Sequence, residues 1–454
     1  MLLTALGFYF RRMERFHGEQ VPVTGPVLFT SNHPNSLTDA FVIGASVSRK
    51  VSFVATVQLF RLAPLKWLLA QCGVIPINRV KDDPRAMRTV LDTFEACFKV
   101  LERGEAVAIF PEGVTHDDPQ LKTVKSGAAR MALELEHRHG GKLGLQIVPV
   151  GLTFSAKELY RSEVLVNFGE PIRVAEFLAD YPAQKHQCIQ TLTKVIEQRI
   201  GELILHLPRL ERVRLIAAVK RLYLDRLLVA NRVIHEPVPP KAGELLLTQA
   251  IARAVDFTAE NHPERAAGFT RKLDRYERTL KRLRLADDAP ARFPQGKLIR
   301  SGLAKLVLLV LLAPVAAYGW LHRLLPAGVV RWAIRRYAGL SVNKTHVSTT
   351  ALLAGIVSFG LGYGMCFAVV QWIFGWPVSL WYGLSLPVAS LVAHYYFANL
   401  RRLRADAHAA AILIRAPATA RRLLKRREEL IAEIESARWQ VPAEALAPTK
   451  GEGK

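Results

Sequence analysis

Val27-Leu28-Phe29-Thr30-Ser31-Asn32-His33-Pro34-Asn35-Ser36-Leu37-Thr38-Asp39 runs from an apolar segment through a polar turn into the start of a helix. Val27 to Thr30 reads as a buried strand. Pro34 and Asn35 suit a turn, and Ser36 can cap the helix that follows, with Asp39 at its third position. The pattern repeats downstream, because residues 51–54, 106–110 and 145–150 also read as buried strands. Between two of them lies a helix in which Asp82 or Asp83 is the cap, Pro84 sits in the first turn and Gly104 ends it. Met87, Val90, Leu91, Phe94, Phe98 and Leu101 form its buried stripe. Ser126 to Arg138 reads as another helix, closed by Gly140-Gly141. Strand and helix alternate over residues 20–175, which predicts an α/β sheet with helices on its faces.

The same stretch carries chemistry. It places His33 at the C-terminal end of a strand, where α/β folds build their sites. In a continuous helix six residues turn through about 600°, so His33 and Asp39 can meet only if His33 lies in the turn before the helix. A neutral imidazole there can take a proton from a hydroxyl while Asp39 holds its other nitrogen. The competing reading is also concrete. Ser36-x-x-Asp39 is a capping-box-like pattern, which would leave His33 an ordinary loop residue.

Further blocks follow in order. Gly73-Val74-Ile75-Pro76-Ile77-Asn78-Arg79 ends an apolar stretch in one arginine. Arg79 suits a phosphate monoester, which a guanidinium grips bidentately; a solvated surface arginine is the alternative. In Phe110-Pro111-Glu112-Gly113, Gly113 permits a tight turn and Glu112 can orient Arg79 or an acceptor hydroxyl. Thr115, His116, Lys122 and Lys125 extend that loop. Val148-Pro149-Val150 indicates a strand that tolerates proline, as an edge strand does. Phe168-Gly169-Glu170-Pro171-Ile172 completes the series.

The 454 residues include 62 Lys and Arg against 39 Asp and Glu, a net charge of +23. An anionic partner follows: nucleic acid, an anionic membrane face or a phosphorylated substrate. No recognised nucleic-acid module accompanies the charge, so nucleic acid is not expected. The 4 cysteines are scattered with no CxxC pair. That argues against a disulfide framework or a zinc site and fits a reducing compartment. No metal-ligand cluster is visible.

Residues 1–19 do not read as a secretory signal, because the apolar run precedes Arg11, Arg12 and Arg15. They predict a helix lying at a bilayer interface, or one packed on the domain. Residues 181–300 are helical and dense in charge, interrupted by Pro237-Val238-Pro239-Pro240. Residues 301–400 predict a membrane-embedded region. Two uncharged runs, near 350–376 and 378–400, are each long enough to span and are joined at Gly375-Trp376-Pro377. Arg323, Arg331, Arg335, Arg336 and Lys344 before this hairpin, and Arg401, Arg402 and Arg404 after it, belong on the cytoplasmic side. Residues 303–321 are then re-entrant or interfacial, since a full crossing would separate the basic loop from the α/β domain. Residues 401–454 read as a basic amphipathic tail.

As an ordered set, over roughly residues 20–180, the blocks resemble the glycerolipid acyltransferase superfamily, which acylates glycerol-3-phosphate or lysophosphatidic acid. The resemblance implies an acyltransferase-type mixed sheet flanked by helices, with His33 as general base and Asp39 as its partner. It implies that Arg79, Glu112 and Gly113 bind the acceptor and that Pro149 shapes the acyl pocket. The expected donor is a thioester of coenzyme A or acyl carrier protein. No serine or cysteine sits in a recognisable nucleophile motif, so direct transfer without an acyl-enzyme is expected, with no further cofactor and no metal required. One departure is informative: the common spacing is H-x4-D, whereas five residues separate His33 from Asp39. That longer spacing is similar to a branch of glycerol-3-phosphate acyltransferases with a C-terminal membrane region. Glycerol-3-phosphate is therefore the expected acceptor, ahead of lysophosphatidic acid or another lysophospholipid. A non-enzymatic lipid-binding membrane protein stays open as a different class.

Overall fold

The structure, a computed structural model, describes residues 2–56, 73–77, 87–181, 183–232, 238–293, 297–338, 346–438 and 440–442. Its centre is a mixed sheet of eight strands: β1 (Arg12–Phe16), β2 (Val27–Ser31), β3 (Val51–Thr56), β4 (Ile75–Ile77), β5 (Ala106–Ile109), β6 (Gln146–Phe154), β7 (Glu163–Phe168) and β8 (Ile172–Arg173). The order is β1-β7-β6-β2-β5-β3-β4, with β8 beside β6. β6 runs antiparallel to β7 and β8, and the remaining pairs are parallel.

Successive side chains of β2 point to opposite faces and so enter two cores. Leu28 packs with α3 (Met87–Glu102), α4 (Gly127–Arg138) and α5 (Lys185–Leu203) through Phe98, Leu101, Met131, Leu133, Leu192 and Ile196. Val27 and Phe29 pack with α1 (Leu2–Tyr9) and α2 (Leu37–Ser46) through Leu6, Phe41, Val42 and Ile43. Phe98 and Leu101 of the expected stripe are thus buried; Asp82, Asp83 and Pro84 lie outside the described residues.

Three expectations change. The helix foreseen over 1–19 stops at Tyr9, and residues 12–16 form β1, which lengthens the sheet beside β7. Leu6, Tyr9 and Phe10 are buried against the domain, whereas Phe8 is exposed. Pro149 is not on an edge strand, because β6 lies between β2 and β7. Its carbonyl accepts the Gly169 N–H at 2.8 Å, and the missing N–H faces the same side. There the chain leaves the ladder between β7 and β8, so no ladder bond is lost. The third change is in residues 323–333, foreseen as loop. They continue α10 (Lys297–Ala333), a single helix that passes Pro314 and Pro326.

Beyond the sheet come α6 (Val213–Arg232), α7 (Pro240–Asn261), α8 (Pro263–Leu283) and the short α9 (Ala289–Arg292). After α10 follow α11 (Val347–Phe374), α12 (Trp376–Arg415) and α13 (Pro417–Arg438). Segments Gly302–Tyr337, Val347–Phe374 and Trp376–Arg415 are long and apolar enough to cross a membrane. Gly375, at φ 78°, makes the turn of the hairpin. The basic tail is not separate: Leu423, Leu430 and Ile431 of α13 join Leu413 of α12 in one core with Leu273 and Tyr276 of α8.

α10 first runs antiparallel to α12. Lys305 pairs with Asp406 at 2.6 Å, and farther in Tyr318 meets Ser385 at 2.8 Å. Past that point Pro326 accepts from Ser358 of α11 at 3.3 Å. Leu352 of α11 reaches the core beneath α2, so the hairpin packs on the α/β domain itself.

Candidate active site

β2 ends at Ser31 and α2 begins at Leu37, so Asn32 to Ser36 form the turn at the C-terminal edge of the sheet. Asn32 fixes that turn: its side chain donates to Leu152 O at 3.0 Å and accepts from Leu152 N at 2.8 Å. His33 then lies before the helix, and its Nδ1 meets Asp39 Oδ2 at 2.9 Å. Asp39 is fully buried, and the same oxygen accepts the Asn35 N–H at 2.7 Å. The His33 ring stacks on Phe110 with centroids 4.0 Å apart. With Nδ1 engaged, Nε2 is the ring nitrogen left to take a proton. The His33 side chain keeps 15% exposure, enough to meet a substrate.

Burial pushes the Asp39 carboxyl above its ordinary range, and the hydrogen bond and charge of His33 pull against it. Among the described residues, its Oδ1 is buried without a hydrogen-bond partner, as are both side-chain polar atoms of Asn35. Buried polar atoms without partners are uncommon and cluster where ligands bind. The cap foreseen for Ser36 does not form. Ser36 sits at φ 55° with no side-chain capping bond, and its hydroxyl meets His346 Nδ1 at 3.1 Å instead.

Glu112 follows β5 and reaches the same turn. Its Oε1 accepts the His33 N–H at 2.9 Å, and its Oε2 accepts from His116 Nε2 at 2.5 Å and from the Lys122 N–H at 2.8 Å. The carboxylate therefore holds the histidine turn to the loop that Gly113 opens. Gly113 has φ +66°, and a Cβ there would stand 2.5 Å from Lys125 Nζ. The lysine tip can move, but the left-handed backbone costs an L-residue about 1–2 kcal/mol. Gly113→Ala is expected to lower unfolding stability by about that amount, read as a shift of the denaturant midpoint at unchanged slope.

Arg79 lies outside the described residues. Pro149 pairs with Thr30 across β6 and β2, directly before the histidine turn. Sequence reasoning missed a set of residues that bind this turn to the membrane region. Lys157 Nζ donates to Pro34 O at 3.1 Å, to His116 O at 3.3 Å and to Asp117 at 2.8 Å. The Ser348 hydroxyl in turn donates to Lys157 O. Thr349 Oγ1 lies 3.1 Å from Thr38 Oγ1 and donates to Asn35 O at 3.4 Å. Burial, and secondarily the charge of His33, holds the His346 imidazole below its ordinary range. The first turn of α11 is thus part of the wall around the dyad. The one local signal was the polar run His346-Val347-Ser348-Thr349-Thr350 opening an uncharged segment.

An imidazole held by a buried carboxylate at the C-terminal end of a strand is an arrangement that can act as a general base. Residues 14–153, which hold β2 to β5, most of β6 and the His33 turn, match the family model described as Acyltransferase. The chain is 29% identical over 145 residues to the chloroplastic 1-acyl-sn-glycerol-3-phosphate acyltransferase LPAT1 of Arabidopsis thaliana, covering 32% of this chain and 36% of that protein. It is 31% identical over 133 residues to Glycerol-3-phosphate O-acyltransferase 2 of Saccharomyces cerevisiae, covering 29% and 18%. An uncharacterized acyltransferase of Schizosaccharomyces pombe is 34% identical over 125 residues, covering 27% and 18%. The matches span well under two thirds of these relatives. The crystal structure of the 1-acyl-sn-glycerophosphate acyltransferase PlsC of Thermotoga maritima aligns with a TM-score of 0.32 at 18% identity, covering 44% of this chain and 79% of that one.

Proposed function

We propose that this protein is a membrane-bound O-acyltransferase. It moves a fatty acyl group from a thioester, of coenzyme A or acyl carrier protein, to glycerol-3-phosphate, an entry step to phosphatidic acid and phospholipids. The observation that carries this reading is the 2.9 Å contact between His33 and buried Asp39 inside the region that matches the acyltransferase family model. His33 Nε2 takes the hydroxyl proton as the oxygen attacks the thioester carbonyl. The tetrahedral intermediate collapses, the C–S bond breaks, and the imidazolium returns its proton to the leaving thiolate. Asp39 stabilises the imidazolium between the two transfers. No acyl-enzyme is needed.

In this reading Arg79 grips the acceptor phosphate. Glu112 and Gly113 act by fixing the loop beside it, and Pro149 shapes the acyl pocket. The catalytic domain faces the cytoplasm. Two features support that: Arg401, Arg402 and Arg404 follow the hairpin, and α11 begins at the catalytic turn. α10 re-enters instead of crossing. Its early contacts with Asp406 and Ser385 lead inward, and Arg331 beyond Pro326 shares a cavity wall with Arg401. Basic residues at these boundaries meet anionic lipid headgroups.

One observation favours lysophosphatidic acid as a second reading. A cavity of about 560 Å³ between α1, α10, α11 and α12 is lined by Ala351 and Leu352, next along the helix from Thr349, which touches the catalytic turn. A lipid acceptor could approach along it.

The test supplies purified membranes with labelled acyl-coenzyme A or acyl-carrier protein and a panel of acceptors. Consumption of glycerol-3-phosphate with formation of 1-acylglycerol-3-phosphate is expected. Consumption of lysophosphatidic acid alone selects the second reading. Transfer to neither phosphorylated acceptor overturns the substrate assignment.

A further inference from the structure

Three arginines converge where the membrane helices meet the catalytic domain. A cavity of about 220 Å³ is lined by Trp320, Arg323 and Arg331 of α10 and by His394, Phe397 and Arg401 of α12. Among the described residues no carboxylate lines it, none of these guanidiniums forms an ion pair, and Arg323 donates only to Ser390 O, at 3.4 Å. The bundle does neutralise cations elsewhere: Asp406 pairs with both Lys305, at 2.6 Å, and Arg292, at 3.4 Å. Arg323 is half-buried between the helices, and Arg331 and Arg401 are exposed at the cavity's edge. Ionisable side chains gathered at a cavity in a membrane helix bundle mark places where charged ligands bind or pass.

A second cavity adjoins the first. The 560 Å³ cavity shares Arg323, Arg331 and His394 with the first, while Phe8, Leu352, Ile356 and Phe359 make its wall apolar. A cationic chamber and an apolar chamber joined through common arginines match one kind of ligand, an amphiphile with an anionic head. A phosphate monoester carries about 1.5 to 2 negative charges near neutral pH and three free oxygens, which suits three guanidiniums better than the single charge of a diester. A guanidinium binds such oxygens in pairs.

We propose that Arg323, Arg331 and Arg401 form a binding site for a phospholipid whose headgroup is a phosphate monoester, with an acyl chain in the adjoining apolar chamber. The site rests on the reading that α10, α11 and α12 lie in a bilayer. It does not require acyl transfer at His33. Its chemistry is that of the product class of glycerol-phosphate acylation, which places lipid of that class within reach of the catalytic turn through the first turn of α11.

The experiment uses the full chain carrying His33→Ala, so that no turnover intervenes, reconstituted in phosphatidylcholine nanodiscs. Binding of dioleoyl phosphatidic acid is compared with dioleoyl phosphatidylglycerol, and with competition by inorganic phosphate. At least tenfold preference for phosphatidic acid is expected, reduced at least tenfold by Arg323→Gln/Arg331→Gln. Equal binding of phosphatidylglycerol overturns the monoester assignment. Full displacement by millimolar inorganic phosphate, with no dependence on the acyl chains, overturns the lipid assignment. If the double variant does not fold, Arg401→Gln and Leu352→Trp replace it. Each should weaken phosphatidic acid binding several-fold, and unchanged binding in both overturns the site. Failure of the acyl-transfer assay with this binding intact removes the proposed reaction and leaves the site standing.

Discussion

Asp39→Asn is expected to lower acyl transfer by about 10²-fold or more while the stability of the fold changes little. On the proposed mechanism the two effects separate, because the carboxylate would serve chemistry at a cost to the fold. Asp39 is fully buried, one oxygen holds both His33 Nδ1 and the Asn35 N–H, and the other has no hydrogen-bond partner among the described residues. Burial raises its pKa. A carboxyl whose folded pKa lies above its unfolded value contributes stability that is present below the unfolded pKa and lost as pH rises through the folded one. The fold therefore disfavours the charged form of this group. Asparagine keeps an oxygen for the two hydrogen bonds and removes the charge, but it places an NH₂ where Oδ1 finds no partner. The two effects oppose each other, so thermal unfolding at pH 7 should show a little-changed Tm. The reaction loses more. The imidazolium formed when His33 takes the hydroxyl proton no longer faces an anion, and the general-base contribution, typically about 10²–10⁴-fold, is largely forfeited. His33→Ala should remove it entirely and leave membrane association intact. Single-turnover transfer from an acyl thioester reads the first effect and differential scanning calorimetry the second. An Asp39→Asn protein with normal turnover would sink the base assignment. One that unfolds would show that the buried charge is structural.

The turn that carries this chemistry was legible because its signals are local. An apolar strand, Pro34-Asn35 and a carboxylate six positions on from a histidine leave one way for His33 and Asp39 to meet, and the helix start at Leu37 allows it. The hairpin was legible for the same reason, since Gly375 interrupts two uncharged runs. β1 was not. Its five residues are Arg12, Met13, Glu14, Arg15 and Phe16, which carry too much charge to read as a strand. It pairs because Glu14 is buried and accepts the Lys241 N–H at 2.7 Å, a partner 227 residues away. The docking of α11 on the catalytic turn was equally hidden. Thr38 and Thr349 are 311 residues apart, and neither has a neighbour in sequence that announces the other. Pro149 misled because a strand proline usually marks an edge. Here the exposed side of the ladder is a gap inside the sheet, between β7 and β8.

Glu112→Gln should be nearly as damaging as Glu112→Ala, and that near-equality identifies what the residue does. The side chain is fully buried, and its two oxygens accept from three protein donors: the His33 and Lys122 backbone N–H groups and His116 Nε2. The two N–H donors engage different oxygens. Glutamine has only one oxygen, so its NH₂ must face one of those N–H groups, which leaves at least one buried donor unpaired and a second polar group against it. Alanine leaves all three unpaired. Each buried unsatisfied donor costs about 1–3 kcal/mol, so both variants should lose several kcal/mol from a total that is commonly about 5–15. This carboxylate ties the loop from Gly113 to Lys122 directly to the histidine turn, and Lys157 bridges the same two segments. Losing the carboxylate should therefore lower kcat as well as stability, because His33 loses the bond that fixes its backbone. A residue that only gripped the acceptor would behave otherwise: the glutamine variant would fold normally, and KM for the acceptor would rise at constant kcat. Denaturant unfolding with steady-state kinetics on the surviving protein distinguishes the two. A stable Glu112→Gln protein with only a raised acceptor KM would return Glu112 to the acceptor pocket.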